Sequence, residues 1–186
     1  VIADDAEGLT QALSVASRRF DLLISTGGAS VGDADFVKQA LERCGEVNFW
    51  KLAIKPGKPL AFGRIGSCWY FGLPGNPVAV SVTYRQFVTP ALQRLGGTAI
   101  EHPLRIWARC EQHLRKTPGR QEYQRGLLRQ SDDGTFSVSL AGAQESHQQK
   151  SASLANAYIV LDADCAGIEA GSQVCVEPFS TLIERM

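Results

Sequence analysis

Apolar positions in the first hundred residues switch repeatedly between helical and strand-like spacing. Leu9, Leu13 and Ala16 recur at the spacing of a helix. The nearly continuous apolar run at 20–25 predicts a strand covered on both faces, and a glycine-rich turn at 26–32 follows it. A second helix, capped by Asp33, is predicted to end at Gly45.

Three further segments extend this alternation. Residues 47–54 predict a strand, and the runs at 60–64 and 68–73 predict a hairpin that turns at 65–67. A long helix then begins with Asn76 as its N-cap and Pro77 at its first position. Its expected apolar face consists of Val78, Val82, Phe87 and Leu92. Strands alternating with helices predict a parallel α/β sheet.

The pattern changes after Gly97 to short β-like runs separated by turns. These runs lie at 104–109, 121–128, 136–140, 157–161 and 174–176. Several short strands at this spacing predict a small all-β domain, either a sandwich or a barrel. We therefore predict two domains, one at 1–97 and one at 103–186.

Composition narrows the class of protein. The chain has 186 residues, of which 44% are hydrophobic and 20% charged, as is typical of a globular protein. Its 19 basic and 19 acidic side chains cancel, which argues against attraction of the whole chain to nucleic acid or membrane. The five cysteines form no C-x-x-C pair, so neither a disulfide framework nor a zinc site is expected.

No apolar run reaches the roughly 20 residues needed to span a bilayer, and no signal peptide is visible, so we predict a cytoplasmic protein. The chain opens at Val1 without an initiator Met, at what its pattern predicts to be the end of a strand. We therefore expect it to be part of a longer protein.

Two loops between a predicted strand and a predicted helix are candidate anion sites. The first contains Gly27 and Gly28, and the second is Pro74-Gly75-Asn76-Pro77. Glycines allow backbone N–H groups to approach an anion closely, and the following helix dipole favours negative charge. The first loop matches neither the P-loop nor the dinucleotide fingerprint, and a simple tight turn is the alternative.

The turn Lys55-Pro56-Gly57-Lys58-Pro59 is a third candidate. Its prolines stiffen the backbone, so that Lys55 and Lys58 are expected to converge on one anion with little further ordering. A solvated basic turn is the alternative. Among the acids, Asp4 and Asp35 have no capping role, and oxygen ligands of this kind near a phosphate suit Mg²⁺.

Taken together, these motifs resemble the molybdopterin molybdenumtransferase family, which comprises bacterial MoeA and the E domain of gephyrin. The resemblance rests on three motifs of the first half and on shorter matches in the second half, including Gln124-Arg125-Gly126 and Ser146-His147. The three motifs run from Ser25 to Asp35, from Trp50 to Pro59 and from Gly72 to Pro77. The resemblance implies that the chain is the C-terminal portion of such a protein, with a partial three-layer α/β domain (MoaB/Mog-like) followed by a small barrel-like all-β domain.

The resemblance also implies an activity and its residues. Family members insert molybdate into adenylylated molybdopterin and release AMP, with a divalent cation such as Mg²⁺. By position, Asp35, Lys51 and Lys55 are expected to be catalytic, and Asp35 and Asp4 to hold the metal. The expected substrate-binding residues are Gly27, Gly28, Ser30, Lys58, Pro74, Gly75, Asn76, Pro77, Arg125 and Ser146.

Departures from the family and two other functions complete the expectations. The opening strand and opening helices of the family's α/β domain, including an acidic loop, are absent from this sequence. In the second half, Ala143-Gln144-Glu145 precedes Ser146 where family members have a glycine-rich segment. The parent protein is expected to be a homodimer that acts on small molecules. The alternatives are a binding domain similar to molybdopterin adenylyltransferase and a non-catalytic interaction scaffold similar to the gephyrin E domain.

Overall fold

The computed structural model describes residues 6–27, 34–142 and 154–180, except for the side chains of residues 34–36. In chain order its helices and strands are α1 (Ala6–Ser17), β1 (Leu22–Thr26), α2 (Ala34–Cys44), β2 (Glu46–Lys51), β3 (Ile54–Lys55), β4 (Pro59–Ile65), β5 (Cys68–Leu73), α3 (Pro77–Thr83), a π-helical turn (Tyr84–Val88), α4 (Thr89–Leu95), β6 (Ile106–Cys110), β7 (Leu114–Arg115), β8 (Gln121–Gln130), β9 (Phe136–Leu140), β10 (Ala157–Leu161), β11 (Gly167–Ile168) and β12 (Gln173–Pro178).

The chain divides into two units, and the division is not a single cut. The first unit contains residues 1–52 and 57–100, and the second contains residues 53–56 and 101–186. The short segment that includes β3 therefore leaves the first unit and belongs to the second.

The first unit is built around a four-stranded sheet in the order β1-β5-β4-β2. Only β1 and β5 are parallel; β4 runs antiparallel to both β5 and β2. The prediction of a parallel sheet is therefore wrong for most of this unit: the hairpin β4–β5 reverses direction at a tight turn, and the segment at 52–58 connects β2 to an antiparallel β4. Gly66, with a φ of +60°, turns that hairpin.

Helices cover both faces of this sheet. Leu13 of α1 and Leu41 of α2 pack with Tyr70 on one face. On the other face, Leu73 of β5 packs with Val88 of the π-helical turn. This arrangement confirms the predicted three-layer α/β fold. Alternate residues of β4 and β5 enter opposite layers, as the two-residue period of a strand requires.

The structure differs from the predicted long helix in its middle turn. Its middle turn is π-helical, and the Thr89 N–H bonds to the carbonyl of Tyr84, five residues back. Pro90 follows at once and has no N–H to donate, which makes a regular turn unfavourable here. The wider turn shifts the apolar face by one position, so that Val88 is buried and the predicted Leu92 is 39% exposed.

The second unit is a closed barrel. Five strands follow the order β10-β12-β6-β9-β8, and β10 also pairs with β8, which closes the ring. The barrel core contains Leu128 of β8, Ile159 of β10 and Val176 of β12, all with no exposed surface. The five predicted β runs are confirmed: those at 136–140 and 157–161 coincide with β9 and β10, and the other three differ at their ends. The barrel is confirmed over the sandwich.

Two short pairings had not been predicted. β7 and β11 form a separate two-stranded sheet, and β3 adds to the barrel beside β8 in parallel. The predicted strand at 47–54 is accordingly wrong at its end, since β2 stops at Lys51 and Ile54 belongs to a different sheet. Strands of two residues are too short to show any periodicity.

Candidate functional site

One edge of the sheet in the first unit collects most of the predicted anion-binding loops. Thr26 lies opposite Leu73 where the parallel strands β1 and β5 end. The antiparallel strand β4 begins at this same edge with Pro59, which lies opposite Lys51 at the end of β2. We call this the loop edge, defined by Thr26, Leu73, Pro59 and Lys51. Three strand spacings make it about 14 Å long, enough for a ligand of nucleotide size.

The two glycine-containing loops meet at the loop edge. Gly27, with a φ of +81°, follows β1, and the Pro74-Gly75 segment follows β5. A β-carbon built on Gly75 would lie 3.7 Å from the Cα of Gly27. Backbone therefore approaches backbone directly, with no side chain at Gly27 or Gly75 to block an anion from the peptide groups.

Asn76 and Pro77 play the predicted capping roles. The Val78 N–H donates to Asn76 Oδ1 at 2.9 Å, the Ala79 N–H donates to the same atom at 3.4 Å, and Pro77 occupies the first helical position. These bonds use the first donors of α3. An anion at this loop would therefore meet the backbone at Gly75 rather than the first turn of the helix.

Lys51 and Lys58 flank the place where the chain leaves the first unit. The Leu52 N–H donates to the carbonyl of Lys58 at 2.7 Å, which brings residues 52 and 58 together across the excursion. Both lysine side chains are exposed, and neither forms an ion pair with a residue that the structure describes. The loop edge thus presents two lysines that have no ion-pair partner among the described residues.

Lys55 is placed differently, in the second unit. It lies on β3 in register with Glu122 of β8, and its Nζ is 3.2 Å from Glu122 Oε1. The lysine side chain is 56% exposed, whereas the glutamate side chain is only 7% exposed. A buried carboxylate therefore holds one side of an accessible ammonium group.

Gln124 orients that carboxylate from the other side. Its Nε2 donates to Glu122 Oε2 at 3.2 Å and to the carbonyl of Arg115 at 3.0 Å. Two acceptors on one side fix which end of the amide carries nitrogen. Within the described residues its Oε1 is buried without a donor, an arrangement that costs about 1–3 kcal/mol.

Arg125, the predicted contribution of the barrel, is buried in a row of polar side chains. It lies opposite Tyr158 of β10, which in turn lies opposite Glu177 of β12. Burial lowers the pKa of the Arg125 guanidinium. Burial, assisted by the charge of Glu177, raises the pKa of Tyr123 to about 12.

Glu177 of this row also forms a buried ion pair. It has no exposed surface, and Arg105 donates to its Oε1 through Nε at 3.0 Å. The Arg105 side chain itself is half exposed. The charges of Glu177 and Arg105 therefore pair with each other.

Several predicted residues lie outside the described part of the chain. These are Asp4, Gly28, Ser30 and Ser146; Asp35 is in α2, but its side chain is not described. Among the described residues, no group of three or more His, Cys, Asp or Glu side chains is placed to hold a metal. No described helix combines the length and apolarity needed to cross a membrane.

Sequence reasoning missed Glu122 and Gln124. A strand with polar residues two apart is ordinarily interpreted as having a solvated face, and here both side chains are buried. The only sequence signal available was the number of polar residues in one barrel strand, QEYQRG. Their relation to Lys55 depends on β3, which has no pattern of its own.

Comparison with known families divides the chain as the fold does. Residues 1–94 match a family described as "Probable molybdopterin binding domain". Residues 108–179 match a second family, described as "MoeA C-terminal region (domain IV)". Both matches lie within the corresponding structural units, apart from the short β3 segment.

Individual proteins with these features are similar over nearly the whole chain. A molybdopterin molybdenumtransferase of Haemophilus influenzae is 40% identical over 98% of this chain and 46% of its own length. A gephyrin of Dictyostelium discoideum is 33% identical over 94% of this chain and 27% of its own length. The chain thus spans about half of the first relative and about a quarter of the second.

A solved structure agrees with the fold. A molybdenum cofactor biosynthesis protein from Pyrococcus furiosus superposes with a TM-score of 0.73 at 26% sequence identity. The superposition covers 96% of this chain and 56% of the other. The order of an α/β unit followed by a barrel is therefore shared with a solved relative.

Proposed function

The chain belongs to the MoeA family, and we propose that it acts in molybdenum cofactor biosynthesis as a molybdopterin molybdenumtransferase. The proposed reaction inserts molybdate into adenylylated molybdopterin and releases AMP. The relatives' names support the substrate class, and the loop edge supplies the matching chemistry. Both substrates are anions.

The loop edge is the observation that carries this proposal. Gly27 and Gly75 bring two strand-to-helix loops within contact distance, and Lys51 and Lys58 lie farther along the same edge. Backbone N–H groups recognise phosphate oxygens, and ammonium groups recognise the net charge of phosphate or molybdate. A row about 14 Å long suits a ligand with a phosphate at its middle and a larger group on either side.

Charge stabilisation is the proposed source of catalysis. For AMP to be released, an oxygen nucleophile, either water or a molybdate oxygen, must attack the phosphoanhydride between the nucleotide and the pterin phosphate; as the new P–O bond forms and the old one breaks, negative charge develops on the leaving phosphate. Lys51 and Lys55 are the proposed catalytic cations, since a fixed positive charge stabilises that developing charge more than it stabilises the substrate. Lys58, Pro74, Asn76, Pro77 and Arg125 are proposed substrate-binding residues, with Gly28, Ser30 and Ser146 added by the family resemblance.

Asp4 and Asp35 are the proposed ligands of a divalent cation. Carboxylate oxygens suit Mg²⁺, which would polarise the phosphoanhydride when bound. This part of the proposal rests on the family resemblance alone. A magnesium titration of the wild-type chain and of Asp35→Asn, monitored by calorimetry, tests it: equal binding by both proteins would remove Asp35 from the site.

The proposed protein is a homodimer that acts on small molecules in the cytoplasm. Sedimentation equilibrium of the 186-residue chain measures the association directly. A monomer at all concentrations tested would contradict self-association of this chain.

AMP release tests the activity. The chain is incubated with adenylylated molybdopterin, molybdate and Mg²⁺, and AMP is quantified in wild type, Lys51→Met and Lys55→Met. We expect release by the wild type and a loss of about 100-fold in each variant. Release that is unchanged in folded variants would contradict the assigned lysines. Binding of substrate without AMP release would instead favour the adenylyltransferase-like binding domain.

A further inference from the structure

The contacts of Lys55 assign a role to Glu122, a residue with no part in the reaction as described above. Lys55 Nζ lies 3.2 Å from Glu122 Oε1, and the two residues are register partners in β3 and β8. A strand of two residues has little stability by itself, so side-chain contacts decide how its side chains are held. The lysine side chain is 56% exposed and would otherwise sample many rotamers.

Glu122 itself is held rigidly. Its side chain is 7% exposed, and its second carboxylate oxygen accepts from Gln124 Nε2 at 3.2 Å. Gln124 is fixed in turn by donation to the Arg115 carbonyl at 3.0 Å. A series of three contacts thus runs from the backbone of Arg115 in β7 to the ammonium group of Lys55.

The three N–H donors of the Lys55 ammonium group determine what this series of contacts can do. An ammonium group has three N–H donors, and Glu122 Oε1 accepts one of them. The remaining two are directed away from the buried carboxylate, on the exposed side of the lysine. The negative charge of Glu122 also offsets that of Lys55, so that an incoming oxyanion meets a directed donor pair with reduced net charge.

We propose that Glu122 is a positioning residue that orients the Lys55 ammonium for an oxyanion and offsets its charge, with Gln124 orienting Glu122 in turn. The proposal deepens the proposed function, on which it rests for the identity of the oxyanion as a phosphate or molybdate. Glu122 does not contact the reacting atoms; it acts through Lys55.

Side-chain NMR tests the positioning without any ligand. The order parameter of the ¹³Cε group is measured for Lys55 and, in the same sample, for Lys58, which forms no ion pair with a described residue. We expect a higher order parameter for Lys55, and a fall to the Lys58 value in Glu122→Ala. Equal values in the wild type would overturn the proposal. Glu122→Gln, which keeps the side-chain shape, replaces Glu122→Ala if the latter does not fold.

A double-mutant cycle tests the electrostatic part. Molybdate affinity is measured by calorimetry in wild type, Glu122→Gln, Lys55→Met and the double variant. Removal of the carboxylate charge should tighten molybdate binding about three- to tenfold when Lys55 is present, and less than about twofold when it is absent. An equal change in both backgrounds, or none, would show that Glu122 does not act through Lys55.

A matched control separates the effect of Glu122 from that of any buried carboxylate. The same measurements also distinguish failure of this proposal from failure of the proposed function. Glu177→Gln removes the charge of a second buried carboxylate of the barrel, paired with Arg105, and should leave molybdate affinity unchanged. If the wild-type chain binds neither molybdate nor AMP, the proposed function fails, and the order parameters of Lys55 and Lys58 then decide the role of Glu122 alone.

Discussion

The two units of this chain use charged residues in opposite ways. At the loop edge of the first unit, Lys51 and Lys58 are exposed and form no ion pair with a described residue. In the barrel of the second unit, Glu122 and Glu177 are buried and each accepts from a basic side chain. The comparison shows two lysines without an ion-pair partner among the described residues at the loop edge, and in the barrel two buried carboxylates that hold basic side chains, Lys55 among them.

Lys116 extends this contrast. It is a buried lysine of the barrel whose Nζ donates to the carbonyls of Ala163 and Cys165 at 3.1 and 3.0 Å. The same carbonyl of Ala163 accepts from the Gly119 N–H at 2.7 Å. A cation is used here to join two loops of the barrel, and none of its charge is offered to a ligand.

The largest effect on stability is expected when the barrel loses Arg105. Arg105→Met leaves the buried carboxylate of Glu177 without this partner, so we expect the free energy of unfolding to fall by about 2–3 kcal/mol. The half-exposed position of Arg105 keeps the loss below that of a fully buried pair. Urea unfolding measures it.

Arg109→Met is the matched control for that change. Arg109 is exposed on the neighbouring strand β6 and forms no ion pair with a described residue, so its loss should change stability by less than about 0.5 kcal/mol. Equal effects of the two substitutions would break the comparison, because the barrel charges would then contribute no more than surface charges.

Alkaline pH should destabilise the barrel through Tyr123. Burial raises the pKa of Tyr123 to about 12 in the folded protein, above the ordinary value of 10.0. Between these two values the unfolded state has lost the proton and the folded state retains it, so stability falls as pH rises. The full loss is at most about 3 kcal/mol, since each unit of pKa difference corresponds to about 1.4 kcal/mol.

Tyr123→Phe isolates this contribution. We expect a smaller loss of stability between pH 10 and pH 12 in the variant than in the wild type, measured by urea unfolding at each pH. Tyr70 of the first unit, whose pKa burial also raises, remains in both proteins and provides the background slope. Identical pH profiles would exclude Tyr123 as a source of alkaline sensitivity.

A smaller effect is expected at the cap beside the loop edge. Asn76→Ala removes the acceptor of the Val78 N–H and should lower the free energy of unfolding by about 1 kcal/mol. Asn76→Asp keeps an oxygen acceptor and should stay within a few tenths of a kcal/mol of the wild type. Thermal unfolding distinguishes the two variants, and a similar loss in both would show that the cap does not stabilise this loop.

The smallest effect on stability is expected at Lys58. Because this side chain has no ion-pair partner among the described residues, Lys58→Met should change the free energy of unfolding by less than about 0.5 kcal/mol. It should nevertheless weaken AMP binding about tenfold, measured by calorimetry. Lys38→Met is the control, since Lys38 is an exposed lysine of α2 paired with Glu42. A stability loss without an affinity loss would sharply contradict the assignment of Lys58.

The sequence predicted those parts of the fold that have a repeating pattern. The strands of the barrel alternate or run as continuous apolar stretches, and their positions were predicted correctly. The π-helical turn was not predictable from periodicity, because a single widened turn displaces the apolar face by only one residue, which leaves Val88 buried and Leu92 39% exposed. Closure of the barrel depends on pairing of β8 with β10, a long-range contact that no local pattern contains.

The candidate site was predictable to the extent that its residues are unusual in their local sequence. Gly27, Gly75 and Pro77 were found because loops between strands and helices need such residues. Glu122 was not found, because its role depends on a two-residue strand that joins another unit. A buried carboxylate and an exposed one are identical in sequence, and only tertiary contacts distinguish them.

The central claim is that the loop edge of the first unit binds the phosphate groups of the substrate. Titration of the ¹⁵N-labelled chain with AMP, followed by amide NMR shifts, tests it most directly. We predict that the largest shift changes occur at Gly27, Gly75 and Lys58. Changes concentrated instead in the barrel groove beside Arg109, Ser137 and Gly171, or no saturable change at all, would contradict the claim.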